Sequence, residues 1–142
     1  ISTTNIELAK LLAASNMRVV VVSNMIDILQ ILATNPSITA IGTGGTMYQT
    51  VNGFMGAATI EVIKQYSFDR AFIGSCGVDM TDCAITTLGV EDGLTKKQPC
   101  TAADINMLLW KGINSISTIL INMHTLMISV ELLRMNFQMI RS

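Results

Sequence analysis

The chain has 142 residues, of which 50% are hydrophobic and 13% are charged, and this apolar content excludes an intrinsically disordered protein. The length is that of one domain with a single hydrophobic core. Nine basic residues against ten acidic ones give a net charge of -1 without a basic cluster, so nucleic-acid binding by this chain alone is not expected.

Three cysteines and one histidine limit the chemistry that the chain can support. Cys76, Cys83 and Cys100 have no CxxC spacing, and an odd number leaves at least one thiol unpaired. This pattern favours a reducing cytoplasm in which cysteine is a small core residue. His124 alone supplies too little for a histidine zinc site or a Ser-His-Asp triad. The sequence therefore predicts a cytoplasmic protein with no metal and no cofactor.

The first two-thirds of the chain alternate helical patterns with short apolar runs. Thr4 and Glu7 have the spacing of a capping box, which predicts a first helix that continues to Ala14. Apolar runs bounded by turn residues predict strands that are buried on both faces. These predicted strands are Arg18–Val22, Ile38–Gly42 and Ala71–Gly74.

Three further helices and one hairpin complete this pattern. Asn24 is a suitable N-cap for a second helix, which Asn35-Pro36 would end. A third helix is predicted over Phe54–Tyr66 and a fourth from about Gly89, and Asn52-Gly53 predicts a type I′ hairpin turn. The alternation of strands and helices predicts an α/β fold with Rossmann-like layers and a mainly parallel sheet.

The run from Ile116 to Leu133 is apolar on average, but it contains seven polar or charged residues. A membrane-spanning helix needs about 20 predominantly apolar residues, so we reject a spanning helix here and expect no membrane partner.

Small and polar residues follow the predicted strands. Ser23-Asn24, Gly44-Gly45 and Gly77-Val78-Asp79 each lie at or just beyond a carboxyl end, the edge at which open α/β sheets bind ligands. Glycine lets a ligand approach the backbone, and free N–H groups at helix starts favour an anion. Each motif alone equally describes a turn or a helix cap. Nucleotide binding through a GxGxxG or Walker motif is not supported.

Taken in order, the motifs resemble the effector-sensing domain of DeoR-family transcriptional regulators over residues 2–97. The motifs are Thr3-Thr4-x-x-Glu7, Val21-Val22-Ser23-Asn24, Gly44-Gly45-Thr46, Gly77-Val78-Asp79, Thr86-Thr87 and Glu91-x-x-x-x-Lys96. One departure is Leu88, which stands where the family commonly has proline. The resemblance implies a fold like that of ribose-5-phosphate isomerase and a homo-oligomer that binds a phosphorylated sugar or a related metabolite without catalysis. Operator DNA would be bound only through an N-terminal winged helix-turn-helix domain that is absent from this chain.

The resemblance and the residue chemistry together imply a set of ligand-binding residues. The helix start would contact phosphate, small residues at the strand ends would line the pocket, an aspartate would accept hydroxyl groups beside two threonines, and a glutamate and a lysine would close the site. In that order these residues are Ser2, Thr3 and Thr4; Ser23, Asn24, Gly44, Gly45 and Gly77; Asp79 with Thr86 and Thr87; and Glu91 with Lys96.

Two other functions are compatible with these residues. In a sugar-phosphate isomerase, Asp79, Glu91 and Lys96 would transfer protons. A dimerisation module without a ligand is the other alternative.

Residues 98–142 would complete the same domain, but their sequence departs from the family pattern after Lys97. They are rich in Ile, Leu and Met and carry few turn signals, which is unusual for a sheet that still needs strands and turns. New codons can be formed from the last base of each codon and the first two bases of the next, and synonymous choice then leaves only the first base of each new codon adjustable. One permitted reading gives Ala-Ala-Met after Lys97, then an apolar strand, a Lys-Phe loop and an Ile-Thr-Thr-Asp ending. We therefore expect a frameshift at about Gln98.

Overall fold

The computed structural model describes residues 3–74, 77–79, 84–86, 89–111, 116–121 and 133–134. Helices and strands alternate through these residues, as an α/β protein requires. The helices are α1 (Thr3–Ala13), α2 (Ile26–Leu32), α3 (Ala57–Ile63) and α4 (Val90–Ala102). The strands are β1 (Val19–Ser23), β2 (Ile38–Gly42), β3 (Thr46–Tyr48), β4 (Gly53–Met55), β5 (Phe68–Gly74), β6 (Gly77–Asp79), β7 (Ala84–Thr86), β8 (Ala103–Lys111), β9 (Ile116–Ile121) and β10 (Leu133–Arg134).

The positions of the predicted strands agree closely with the structure, but the prediction that both of their faces are buried is wrong, because Val20 of β1 is 65% exposed. The expected run Ile38–Gly42 is β2, and β1 lies one residue beyond the run predicted for it. Strand β5 contains the predicted Ala71–Gly74 but begins earlier, at Phe68. Helix α1 occupies the predicted position, and α4 begins next to Gly89.

The predicted N-cap of α2 is wrong. Met25 occupies that position in an extended conformation, with no side-chain cap hydrogen bond. The Asn24 amide Nδ2 instead donates to the Phe54 carbonyl at 2.8 Å, and the Phe54 N–H donates to the Asn24 carbonyl at 2.7 Å. Asn24 therefore connects β1 to the hairpin of β3 and β4 rather than capping a helix.

The predicted type I′ turn at Asn52-Gly53 is also wrong. A single 3-10 turn, Gln49–Val51, connects β3 to β4 and ends at Asn52 in the left-handed conformation (φ 46, ψ 49), while Gly53 already belongs to β4. Asn52 Nδ2 donates to Asp27 Oδ1 at 2.9 Å, so the turn is also attached to α2. Because β4 includes Phe54, the third helix begins later than predicted, at Ala57.

The parallel strand pairs lie in two sheets. Strands β1 and β2 pair in parallel, with Val19 opposite Ile38, and β5 pairs in parallel with β8, with Phe68 opposite Ala103. Strand β9 continues the second sheet antiparallel to β8, and β10 pairs with β9. The structure is therefore mixed α/β with small parallel pairs. The Rossmann-like layered sheet stays a prediction, because β1 and β5 are not paired among the described residues.

The hydrophobic core lies between the first two helices and the sheet of β1 and β2. Leu32 of α2 is fully buried there beside Ile28, and Ala9 of α1 and Ile38 of β2 pack against them. Asn35 fixes the end of α1, since its Nδ2 donates to the carbonyls of Ala13 and Ser15 at 3.0 and 2.8 Å. This packing fixes α1 against α2.

In the part of the chain that the structure describes, no helix combines the length and the hydropathy that crossing a membrane requires.

Candidate functional site

A cavity of about 800 Å³ lies between β1 and β5. The residues of both strands line it, and side chains of α1 and α4 complete the walls. Most of the lining is apolar, but polar side chains gather where β1, β2 and β5 end. A largely apolar cavity with a few convergent polar groups is the usual form of a small-molecule site. The polar residues at this end are Asn5, Ser23, Asn24, Thr43, Thr95 and Lys96.

Two hydrogen bonds to backbone carbonyls fix the polar end of the cavity. Thr43 follows β2 directly, and its N–H donates to the Ser23 carbonyl at 3.1 Å, which holds the ends of β1 and β2 together. Asn5, in the first turn of α1, donates from Nδ2 to the Phe72 carbonyl of β5 at 3.1 Å. Helix α1 therefore reaches both sides of the cavity and attaches its own amino end to β5.

A buried ion pair on α4 places an ammonium group, neutralised by a carboxylate, beside the cavity. Lys96 Nζ lies 2.7 Å from Asp92 Oδ2, and their side chains are only 9% and 2% exposed. The two residues are one helical turn apart, so α4 alone sets their geometry. Arg18 and Arg70 also line the cavity, but they lie toward the amino ends of β1 and β5. Lys96 is thus the buried cation among the residues that line the cavity.

Two buried polar atoms at the cavity have no hydrogen-bond partner in the part of the chain that the structure describes. They are Asn5 Oδ1 and Thr43 Oγ1. The hydrogen bond that the Asn5 amide donates to the Phe72 carbonyl fixes the orientation of this amide. Thr43 is buried, with a relative exposure of 5%. Buried polar groups are nearly always satisfied, so unsatisfied ones at a cavity wall indicate positions that a ligand can complete.

The Gly44-Gly45 loop is held by α3. Thr59 is fully buried, and its Oγ1 donates to the Gly44 carbonyl at 2.7 Å. Gly45 has φ +115, and a Cβ there would overlap the Thr59 hydroxyl. The amino end of α3 is in turn tied to α4, because the Gly56 N–H donates to Thr95 Oγ1 at 3.3 Å. The loop and the Lys96 region are therefore linked through α3.

The structure places the predicted site residues in three groups. Ser23, Asn24 and Lys96 line the cavity together. A second group lies outside the lining residues: Thr3, Thr4, Gly44, Gly45 and Glu91. The third group has no described side chains: Gly77, Asp79 and Thr86 are in the antiparallel β6–β7 hairpin, and Ser2 and Thr87 lie outside the described residues.

Several of these residues have structural partners. The Ser23 hydroxyl accepts from the Met25 N–H at 3.1 Å, and Asn24 Nδ2 is engaged by Phe54. Thr4 is buried on α1, whereas Glu91 is exposed. A Cβ at Gly56 would lie 3.6 Å from Glu91 Oε2, so this carboxylate is near the start of α3.

Four residues of the site were missed by the sequence analysis: Asn5, Thr43, Thr95 and Asp92, the partner of Lys96. Thr43 directly follows a predicted strand, which is the same positional signal that selected Gly44 and Gly45. Asp92 has the i, i+4 spacing to Lys96 that favours a helical ion pair, whereas Glu91 is five residues away. No sequence signal distinguished Asn5.

Within the described residues, no group of three or more His, Cys, Asp or Glu side chains is arranged to hold a metal ion.

The chain was compared with known protein families. A family model described as the DeoR C terminal sensor domain matches residues 1–111, which extends the likeness past Lys97 to the end of β8. Comparisons with curated proteins and with solved structures found no match.

Proposed function

The chain belongs to the family of DeoR C-terminal sensor domains, and from this we propose that it binds a phosphorylated sugar or a related metabolite. Binding would control how a DNA-binding domain of the same regulator engages its operator. The proposal includes a winged helix-turn-helix as that domain, a cytoplasmic location, a repressor function and a homo-oligomeric state.

The polar end of the cavity is the observation that carries this proposal. It combines a buried ammonium group at Lys96 with polar side chains from the ends of the strands, inside a cavity large enough for a small metabolite. Lysine binds phosphate as a point charge. A ligand phosphate bound beside Lys96 would replace its contacts with water by a contact with the ammonium group, which α4 already holds in place.

The start of α1 supports the same placement of the phosphate. Asn5 lines the cavity from the first turn of α1, so the helix brings its amino end toward the carboxyl edge of the strands. The first N–H groups of a helix have no partner within the helix and favour an anion. We assign Ser2, Thr3 and Thr4 to this contact, with Ser23, Asn24, Gly44 and Gly45 around it.

The remaining assignments concern the sugar. Asp79 would accept hydroxyl groups, as carboxylate oxygens do, with Gly77, Thr86 and Thr87 beside it. Glu91 would close the site from α4 next to Lys96. These roles follow from the family resemblance and the residue chemistry together.

Thermal unfolding of the full chain tests the proposal. We expect ribose 5-phosphate, fructose 6-phosphate or glucose 6-phosphate to raise the melting temperature by about 5–10 °C at a hundredfold excess over the dissociation constant. The corresponding sugars without phosphate are the matched ligand controls and should give a smaller rise. Absence of any rise with a panel of phosphorylated sugars would contradict the proposal and favour a dimerisation module.

A paired variant tests the role of Lys96. In the double variant Asp92→Asn/Lys96→Met, both charges are removed together, so no buried charge is left without its counter-ion. We expect this variant to lose most of the rise caused by the phosphorylated sugar. Lys64→Met is the control, because Lys64 is half exposed and pairs only with the exposed Glu61 among the described residues.

A coupled assay separates the sensor from the isomerase alternative. We expect no turnover of ribose 5-phosphate at protein concentrations at which this sugar phosphate is fully bound. Measurable isomerisation that is lost in the double variant would show that the site is catalytic.

A further inference from the structure

Two of the polar side chains that line the cavity each have an oxygen without a hydrogen-bond partner among the described residues. Asn5 Oδ1 and Thr43 Oγ1 are buried, and neither has a hydrogen-bond partner among the described residues. Leaving such an atom unsatisfied costs about 1–3 kcal/mol. Both atoms belong to residues that line the same cavity, so a bound molecule can complete both hydrogen bonds once small side-chain movements uncover these atoms.

The orientation of the Asn5 amide decides what this residue can bind. Its Nδ2 donates to the Phe72 carbonyl, and rotating the amide by half a turn would place two acceptors against each other. Oδ1 is therefore the atom left for the ligand. A carbonyl oxygen can only accept, so the partner of Asn5 must be a donor, such as a hydroxyl group. A phosphate or carboxylate oxygen in its ionised form does not satisfy it.

The position of Thr43 is fixed as firmly as the orientation of the Asn5 amide. Its N–H is bound to the Ser23 carbonyl, and only 5% of its surface is exposed. A threonine hydroxyl can donate and accept, so it can bind one hydroxyl group in either direction. Thr59 shows the other situation in the same fold, because its hydroxyl is fully buried and is satisfied by the Gly44 carbonyl.

We propose that Asn5 and Thr43 are specificity-determining residues that bind hydroxyl groups of the ligand, while Lys96 takes its anionic group. The inference rests on the proposed function, and it adds a division of the site into a hydroxyl-binding part and a charge-binding part. A site built to hydrogen-bond a hydroxyl discriminates strongly against ligands that lack it, because its own polar atoms are then left unsatisfied.

Valine substitutions at the two buried threonines give a matched test, since valine has nearly the same shape and lacks the hydroxyl. In Thr43→Val the empty protein loses an unsatisfied hydroxyl, so its melting temperature should stay the same or rise. In Thr59→Val the empty protein loses a satisfied hydrogen bond and leaves the Gly44 carbonyl without its donor, so its melting temperature should fall. A clear fall in Thr43→Val would overturn the inference.

Ligand binding gives the second readout. We expect Thr43→Val to bind the best phosphorylated sugar of the panel about tenfold more weakly by isothermal titration calorimetry. Thr43→Ser keeps the hydroxyl and should restore most of the affinity. The affinity for inorganic phosphate should be unchanged in both variants, because it makes no use of the hydroxyl-binding part.

Asn5→Leu provides an independent variant with the same expected loss of sugar affinity and the same retained phosphate affinity. The results distinguish this inference from the proposed function. If the parent protein binds no phosphorylated sugar, both fail. If the parent binds one and Thr43→Val and Asn5→Leu bind it equally well, only the present inference fails.

Discussion

The ion pair of Asp92 and Lys96 is the residue-level feature with the largest energetic consequence. Both side chains are nearly inaccessible to water, and their charged atoms are 2.7 Å apart. Removing one partner of a buried pair leaves an uncompensated charge, which typically costs about 3–5 kcal/mol. The pair therefore has to be kept or removed as a unit.

We expect Asp92→Asn to lower the free energy of unfolding by about 3 kcal/mol in urea denaturation, and the double variant with Lys96→Met to recover much of this loss. Glu61→Gln, in the exposed pair with Lys64, should change it by less than about 1 kcal/mol. If Asp92→Asn lowered the free energy of unfolding as little as Glu61→Gln does, the Asp92–Lys96 pair would not be shielded from water.

Gly44 and Gly45 allow a second comparison between single residues. Both have a positive φ, but a Cβ at Gly44 meets nothing within 4 Å, whereas a Cβ at Gly45 meets the hydroxyl of Thr59. We expect Gly44→Ala to cost about 1 kcal/mol for the left-handed backbone, and Gly45→Ala to cost more than twice as much. Equal urea midpoints for the two variants would contradict the observed loop geometry.

The sequence identified part of the site at the residue scale. Ser23, Asn24 and Lys96 were predicted from their positions and line the cavity. Asn5 and Thr43 were missed because their significance lies in one side-chain oxygen of each that has no hydrogen-bond partner among the described residues, which is a property of the three-dimensional packing.

At the scale of elements, strands were easier to predict than the ends of helices. A short apolar run such as Ile38–Gly42 is determined by its own composition and its flanking turns. The errors at Asn24 and Asn52 have a shared cause. Each side chain has the local signature of a cap or a turn, but it binds an element 30 or 25 residues away in sequence. Local propensity cannot detect such a partner.

The Asn24 contact predicts how the hairpin of β3 and β4 is held. We expect Asn24→Ala to lower the free energy of unfolding by about 1 kcal/mol and to speed hydrogen exchange at the hairpin amides. Gln30→Ala, at an exposed position of α2, is the control and should change neither. Unchanged exchange in Asn24→Ala would mean that the backbone hydrogen bond of Phe54 is sufficient.

At the scale of the whole molecule, the family match and the frameshift hypothesis both concern the end of α4 and β8. The match continues to residue 111, so it includes the first residues of the segment in which the motifs depart from the family pattern. Strand β8 pairs in parallel with β5 there, as an α/β domain needs. The frameshift hypothesis concerns the departure of the sequence beyond Lys97.

Resequencing the gene across the codons for Lys97 and Gln98 tests this hypothesis. We expect a one-base difference near Gln98, and a restored reading frame that encodes the Lys-Phe loop and the Ile-Thr-Thr-Asp ending. Intact-protein mass spectrometry of the protein purified from its natural source provides the second measurement, because the two reading frames encode proteins of different mass. An uninterrupted frame for residues 98–142, with the corresponding mass, would end the hypothesis.

Helix α1 rests on both halves of the molecule. It packs against α2 over the first sheet, and Asn5 ties its first turn to β5 of the second. Its other end is held by Asn35, which precedes β2. The two sheets therefore cannot move apart without either breaking the Asn5–Phe72 hydrogen bond or carrying α1 away from α2.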